Sequence, residues 1–263
     1  MKLSIITINY NNKNGLKKTI ESVVNQIFTD YEYIVIDGGS TDGSKEIIEK
    51  QADKITYWVS EPDKGVYNAM NKGITQAQGE YCLFLNSGDY FIDENVLSKV
   101  FAIHFTEDIV AGDVVIGKTA SKIKSHAVVS MYDFFKQSLP HQASFIKKKI
   151  FDEIGRYNEN YKILADWDFI MVALFKHKYS YRRIDVTVAF FEPGGISGTS
   201  FEKRLAEKEQ TMQTNFPELK EVYLKAWELE RLKKTGIVSR AIKISNSVFY
   251  KKIMRYKKRL FSR

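Results

Sequence analysis

The chain has 263 residues, 44% of them hydrophobic, with 17 Phe and 15 Tyr; this is enough apolar surface for a large core and excludes an intrinsically disordered protein. A single cysteine, Cys82, excludes an internal disulfide and a cysteine-built metal cluster. The net charge of +8 is uneven: residues 231–263 carry 12 Lys or Arg and no acidic residue, so residues 1–230 hold 28 basic and 32 acidic groups and are mildly acidic.

Residues 3–8 read as a short buried strand, and residues 15–27 place Leu16, Ile20, Val23, Val24 and Ile27 at helical spacing. The apolar run 32–36 is a second strand, closed by the dense turn signal Asp37 to Gly43. A helix over 44–50, a strand over 55–59 and a helix over 65–78 follow. Residues 80–85 form a fourth strand, in which Cys82 is a buried hydrophobe. The order β-α-β-α-β-α-β is that of a parallel sheet wrapped by helices. Beyond it the pattern predicts helices at 92–102, 131–137 and 165–177, and strands at 109–116, 126–130, 142–147 and 184–191. Residues 201–230 are charged and helical. Soft boundaries fall near residues 200 and 236. No apolar run approaches the roughly 18 residues of a membrane span. The short apolar start, followed by Asn9, Asn11 and Asn12, does not make a signal peptide. The cysteine usage fits a reducing compartment.

In such sheets ligands bind beyond the carboxyl ends of the strands. Polar and Gly-rich clusters stand at all four of those ends: 7–11, 37–42, 61–68 and 86–89. No P-loop and no G-x-G-x-x-G is present, Ser197 is not in a nucleophile elbow, and the four histidines lack metalloprotease spacing. What remains is carboxylates: Asp37, Asp42, Asp63, Asp89, Asp166 and Asp168. Carboxylates hold divalent cations, and a carboxylate can take the proton of an attacking hydroxyl. The same residues suit blander roles: Asp37, Asp42 and Asp89 suit turns, and Asp166 and Asp168 suit the first turn of a helix. His141, after Pro140, suits a structural histidine as well as a ligand contact.

Five ordered blocks carry a family resemblance: Ser4 to Asn11, Ser22 to Gln26, Glu32 to Asp42, Glu61 to Asn71 and Gly79 to Asp89. Together they resemble family 2 glycosyltransferases of the GT-A fold, in particular bacterial enzymes of capsule, O-antigen and colanic-acid-type polysaccharide assembly. His141-Gln142 and Ala165 to Phe169 extend the likeness to about residue 200. The resemblance implies a Rossmann-like mixed α/β sheet flanked by helices, with a catalytic domain over 1–200. Residues 1–100 would bind the nucleotide-sugar and 101–200 the acceptor. Residues 201–263 would be a helical C-terminal extension.

The resemblance also implies an inverting, direct-displacement transfer from a nucleotide-diphospho-sugar, often a UDP-sugar. Thr7, Asn9, Tyr10, Asp37, Gly38, Asp63, Asn71, Asn86 and Ser87 would serve the nucleotide and donor. Asp89 would ligate Mg²⁺ or Mn²⁺, and Asp166 would be the general base. His141, Gln142 and Asp168 would face acceptor or diphosphate. Two departures stand out. Gly38 replaces an aspartate that often follows the second strand, and Asn86-Ser87-Gly88-Asp89 stands where the family writes Asp-x-Asp-Asp. Gly194, Gly195, Ser197 and Gly198 suggest a flexible loop near the donor.

Residues 238–261 space apolar side chains every three to four positions among Lys and Arg, a basic amphipathic helix suited to an anionic membrane surface. Packing of that helix on the catalytic domain explains the pattern as well. No nucleic-acid recognition motif accompanies the charge. The expected location is cytoplasmic, peripheral on the inner face of the membrane, where a glycan or lipid-linked acceptor would sit. The competing functions are a sugar-nucleotide pyrophosphorylase and a non-catalytic membrane-associated scaffold on a degenerate transferase fold.

Overall fold

The structure, a computed structural model, describes residues 1–117, 121–127, 130–192, 201–233 and 235–236. The loop expected at 194–198 and the basic helix expected at 238–261 fall outside them. The chain divides into two compact units, Met1–Thr211 and Met212–Arg263.

The first unit opens with β1 (Leu3–Asn9), α1 (Lys13–Val24), β2 (Tyr31–Asp37), α2 (Ser44–Glu49), β3 (Tyr57–Ser60), α3 (Val66–Gln76) and β4 (Tyr81–Phe84). Every residue of β1 and β4 is buried, as expected of strands covered on both faces. β1 is parallel to β2 and β4, and β2 to β3. On one face Leu3 and Ile5 join Leu16, Ile20 and Val23 of α1 in the core. On the other, α3 lies so close that a Cβ at Gly73 would meet Ile6 Cγ2 at 2.4 Å. α1 ends at Val24, its cap Asn25 donating to Val23, so Ile27 is exposed rather than inward.

The second half adds β5 (Tyr90–Phe91), α4 (Val96–Phe101), β6 (Ile109–Ile116), β7 (Ser121–Ile123), α5 (Met131–Lys136), β8 (Ser144–Lys147), α6 (Lys148–Glu153), α7 (Ala165–Met171) and β9 (Tyr181–Phe191). Among the described residues nine strands make one mixed sheet, ordered β3-β2-β1-β4-β8-β6-β9-β5 with β7 beside β6. β8 runs antiparallel to β4, so the parallel half ends there. Four details differ from the sequence pattern. Of the expected strand at 126–130, residues 126, 127 and 130 lie outside any strand and 128–129 lie outside the described residues, while β7 forms earlier, at Ser121–Ile123. β5 and α6 are additional elements. Residues 141–143 form a 3-10 turn ahead of β8, and the helix from 165 continues after Met171 as a π segment, Val172–Lys176.

α8 (Phe201–Asn215) carries the first unit past residue 200. Its Glu207 accepts the backbone N–H groups of Lys162, Ile163 and Leu164 at 2.7, 3.1 and 2.8 Å. Those are the donors just ahead of α7, whose own cap position, Leu164, has no side-chain acceptor. Lys208 donates to the Phe135 carbonyl, and its ammonium lies 4.7 and 5.1 Å from the Phe135 and Trp167 ring centroids. The second unit contains a 3-10 turn, Pro217–Leu219, and α9 (Lys220–Lys233).

Candidate active site

Strand register builds the first part of the site. Asn9 pairs with Asp37, and Asp37 with Ser60, so three polar side chains end three adjacent strands side by side. Asp37 is fully buried. It accepts Asn9 Nδ2 at 2.7 Å, Ser40 Oγ at 2.5 Å, Ser40 N–H at 2.9 Å and Ser60 Oγ at 2.6 Å. Burial works to raise its pKa, and the hydrogen bonds from Ser40, Ser60 and Asn9 overturn that and hold it below the usual carboxylate value. Four donors occupy the roughly four lone-pair sites of a carboxylate. Asp37 therefore shapes the loop ends beyond β1, β2 and β3. Thr7 is likewise internal: it donates to the Leu85 carbonyl and accepts the Tyr33 hydroxyl.

The open edge is formed by Tyr10, Gly38 and Asp63. Tyr10 is exposed. A Cβ on Gly38 would stand 2.5 Å from Asp63 Oδ2 and 3.3 Å from Tyr10 Cδ2, so glycine at 38 is what lets the three meet. Asp63 Oδ1 accepts the Gly65 N–H at 2.7 Å, which shapes the loop entering α3.

A second polar cluster lies where β4 gives way to residues 85–89. Asp89 is buried; its Oδ2 accepts Gln142 Nε2 at 3.0 Å and its Oδ1 accepts the Glu192 N–H at 3.2 Å. Burial lifts its pKa to about 6 against the pull of His141, Gln142 and Glu192 N–H. His141 Nε2 is 4.0 Å from Asp89 Oδ2 and 3.2 Å from Asn86 Nδ2, while its Nδ1 is 3.4 Å from Asp166 Oδ2. Burial depresses the imidazole pKa, but the hydrogen bond and charge of Asp166, with the charge of Asp89, raise it overall. Asp166, in the first turn of α7, also accepts the Tyr67 hydroxyl at 3.1 Å. Burial pushes Asp166 up; His141, the Trp167 N–H and Tyr67 reverse this and hold it below its ordinary value.

Asp89, His141 and Asp166 thus form one cluster, with Asn86 and Gln142 beside it. Ser87 faces elsewhere: its hydroxyl donates to the Asn12 carbonyl and its carbonyl accepts Asn12 Nδ2, tying the loop to the start of α1. Asp168 is turned away. Two positions along a helix face different sides, and its Oδ1 accepts Thr211 Oγ1 of α8 at 2.7 Å. Asn71 is also internal. It exchanges hydrogen bonds with the Tyr157 backbone and donates to Glu159, fixing the 157–160 loop to α3. Sequence reasoning missed Tyr67, Glu159 and Glu207, each of which acts on a residue more than 40 positions away.

Among the described residues no group of three or more His, Cys, Asp or Glu could hold a metal ion. Asp89 stands alone at the former Asp-x-Asp-Asp motif. Each of its oxygens accepts one N–H and keeps a second lone pair, so the donor set fits a divalent cation only when a substrate supplies oxygens too.

A mixed α/β sheet with loops converging at the carboxyl ends of β1, β2 and β4 around a carboxylate–histidine cluster defines the GT-A class. Residues 4–176 match the model of glycosyl transferase family 2, and the chain belongs to that family. It is 32% identical over 212 residues to a PGL/p-HBAD biosynthesis glycosyltransferase of Mycobacterium bovis (strain BCG / Pasteur 1173P2), covering 78% of this chain and 82% of that protein. It is 36% identical over 102 residues to a cholesterol galactosyltransferase of Borreliella burgdorferi, covering 38% of this chain and 28% of that one. In fold it resembles S. aureus TarS 1–349 in complex with UDP-GlcNAc, with a TM-score of 0.70 and 18% identity over 94% of this chain and 76% of that one. It also resembles the mannosyltransferase PcManGT of Pyrobaculum calidifontis in complex with GDP-Man and Mn²⁺, with a TM-score of 0.63 and 14% identity over 98% and 80% of the two chains.

Proposed function

We propose that this glycosyltransferase inverts the anomeric centre, moving a sugar from a UDP-sugar to a hydroxyl of a glycan or lipid-linked acceptor in bacterial surface polysaccharide synthesis. The observation that carries this reading is the placing of Asp166. It is an ionised carboxylate at a helix start, held by Tyr67 and His141, with 18% of its side-chain surface still open to a substrate.

Asp166 takes the proton from the acceptor hydroxyl as that oxygen attacks the anomeric carbon. The bond between that carbon and the diphosphate oxygen breaks, and the nucleoside diphosphate leaves with the bonding pair. Tyr10 and Asp63, at the edge opened by Gly38, face the nucleotide. Asp89 would hold Mg²⁺ or Mn²⁺ together with donor oxygens and water, and such an ion neutralises charge on the leaving diphosphate. His141 joins the Asp89 and Asp166 sides of the site. The basic segment 231–263 supports a peripheral seat on the cytoplasmic face of an anionic membrane, where lipid-linked acceptors are presented. Among the described residues no helix is long and apolar enough to cross a membrane.

The test is calorimetric titration with UDP and GDP, with and without Mn²⁺, followed by turnover of UDP-GlcNAc, UDP-galactose, UDP-glucose and GDP-mannose read as nucleoside diphosphate release. UDP binding retained in Asp166→Asn with turnover lost, and Mn²⁺-dependent binding lost in Asp89→Ala, are expected. Failure of the wild type to bind either nucleotide would overturn the reading.

A further inference from the structure

Tyr67 exchanges no atoms in the chemistry above, yet it is buried and its hydroxyl is aimed at Asp166. It stands in the first turn of α3, two residues after Gly65 and just past the loop that carries Asp63. Its hydroxyl reaches Asp166 Oδ1 at 3.1 Å, while His141 Nδ1 approaches Oδ2 at 3.4 Å. Its ring packs against Tyr157, centroids 5.7 Å apart, and Tyr157 packs in turn on Phe169 of α7 at 5.4 Å. Its neighbours on α3 grip the same region, with Asn68 and Asn71 donating to Glu159 at 2.9 and 3.0 Å.

We infer that Tyr67 is a positioning residue for the transfer reaction: its hydroxyl, opposite His141, fixes the rotation of the Asp166 carboxylate and ties the base to the helix that leaves the donor loop. The assignment rests on the transferase reading above. A carboxylate on one Cα has two free torsions. A donor on each oxygen removes that freedom and turns the remaining lone pairs toward the open side, where an acceptor hydroxyl must arrive. Misplacing reacting groups by about 1 Å costs on the order of 10²-fold in rate. Tyr67 itself does not exchange protons here, because burial and the charge of Asp166 push its pKa far above the working range.

The groups facing Asp166 are Tyr67 from α3, His141 from the 3-10 turn, the Trp167 N–H from α7, and the charge-sensitive Tyr157 from the loop before it. Asp89 stands behind His141. Losing the Tyr67 donor removes one group that favours the ionised form, so the Asp166 pKa rises. The ascending, acid-side limb of the rate profile then moves to higher pH.

Tyr67→Phe keeps the ring and its packing and removes only the hydroxyl. With whichever of UDP-GlcNAc, UDP-galactose, UDP-glucose and GDP-mannose the wild type turns over, kcat is expected to fall about 10- to 100-fold, the worth of a hydrogen bond to a charged group. The donor KM stays unchanged and the acid limb moves up in pH. Wild-type kcat and an unmoved limb in Tyr67→Phe overturn the assignment. A wild type that turns over none of the donors defeats the transferase reading instead. Carboxyl ¹³C shifts of aspartate-labelled protein then still decide the contact. The Asp166 resonance, identified by its loss in Asp166→Asn, should begin to titrate at higher pH in Tyr67→Phe, and an unchanged titration refutes the tie.

Discussion

The Nδ1 atom of His141 lies 3.4 Å from Oδ2 of Asp166, joining a 3-10 turn ahead of β8 to the first turn of α7. On its other side the same imidazole approaches Asp89 and Asn86. His141→Gln removes the imidazole beside Asp166 while keeping a polar side chain. We expect kcat to fall about 10- to 100-fold, as for loss of a charge-assisted hydrogen bond, with UDP affinity within about twofold of wild type. Steady-state kinetics beside calorimetric titration checks this; a loss confined to nucleotide affinity would place His141 on the diphosphate instead.

Two glycines separate binding from stability. In Gly38→Ala the new Cβ meets Asp63 Oδ2 at 2.5 Å, the far end of a flexible side chain. The fold should survive while Asp63 is displaced, weakening UDP binding about tenfold, or about 1.4 kcal/mol. In Gly73→Ala the Cβ meets Ile6 Cγ2 at 2.4 Å in the packed core. Alanine gains about 1 kcal/mol of helix propensity, but overpacking costs roughly 1–3 kcal/mol, so the core term wins. Thermal melts should show a lower Tm for Gly73→Ala and a nearly unchanged one for Gly38→Ala.

Glu207 caps α7 from another helix. Glu207→Ala leaves the Lys162, Ile163 and Leu164 N–H groups without their acceptor. The expected cost is roughly 1–2 kcal/mol, the upper range for losing a helix cap. Because α7 carries Asp166, kcat should fall with the donor KM unchanged. Denaturant unfolding and kinetics on the one variant test both halves.

Lys208 gives the pH dependence a sign. Burial lowers its folded-state pKa to about 8, with help from Arg204, against 10.5 for an ordinary lysine. Between those values the unfolded chain binds more protons than the folded one, so this group makes stability rise as pH rises. Below about 8 both states are charged and the burial penalty is felt in full. From pH 7.5 to 9.5 the wild type should therefore gain Tm relative to Lys208→Met. Parallel pH dependence in the two proteins would contradict this.

The parallel half of the fold was legible because β1, β2 and β4 are continuous apolar runs ended by turn residues. β5 and β7, of two and three residues, are too short to carry a period. In the site, Asp89, Asp166 and His141 were named from motif resemblance, and the structure brings them together. Asp37 was also named, but its saturation by Asn9, Ser40 and Ser60 follows from strand register, which a local pattern does not contain. Asp168 was placed toward acceptor or diphosphate; two steps along the helix from Asp166, its side chain meets Thr211. Tyr67 fell inside the block Glu61 to Asn71 but was not singled out, because its partner lies 99 residues away.

Glu207, Lys208 and Thr211 sit beyond the point where the sequence pattern ends the catalytic domain, yet each grips α7 or the residues just ahead of it, the part of the chain that holds Asp166. A fragment spliced at residue 200 would keep every motif and lose the clasp on α7. Grafts and chimeras of this enzyme must therefore be joined downstream of α8, so that the helix travels with the catalytic head.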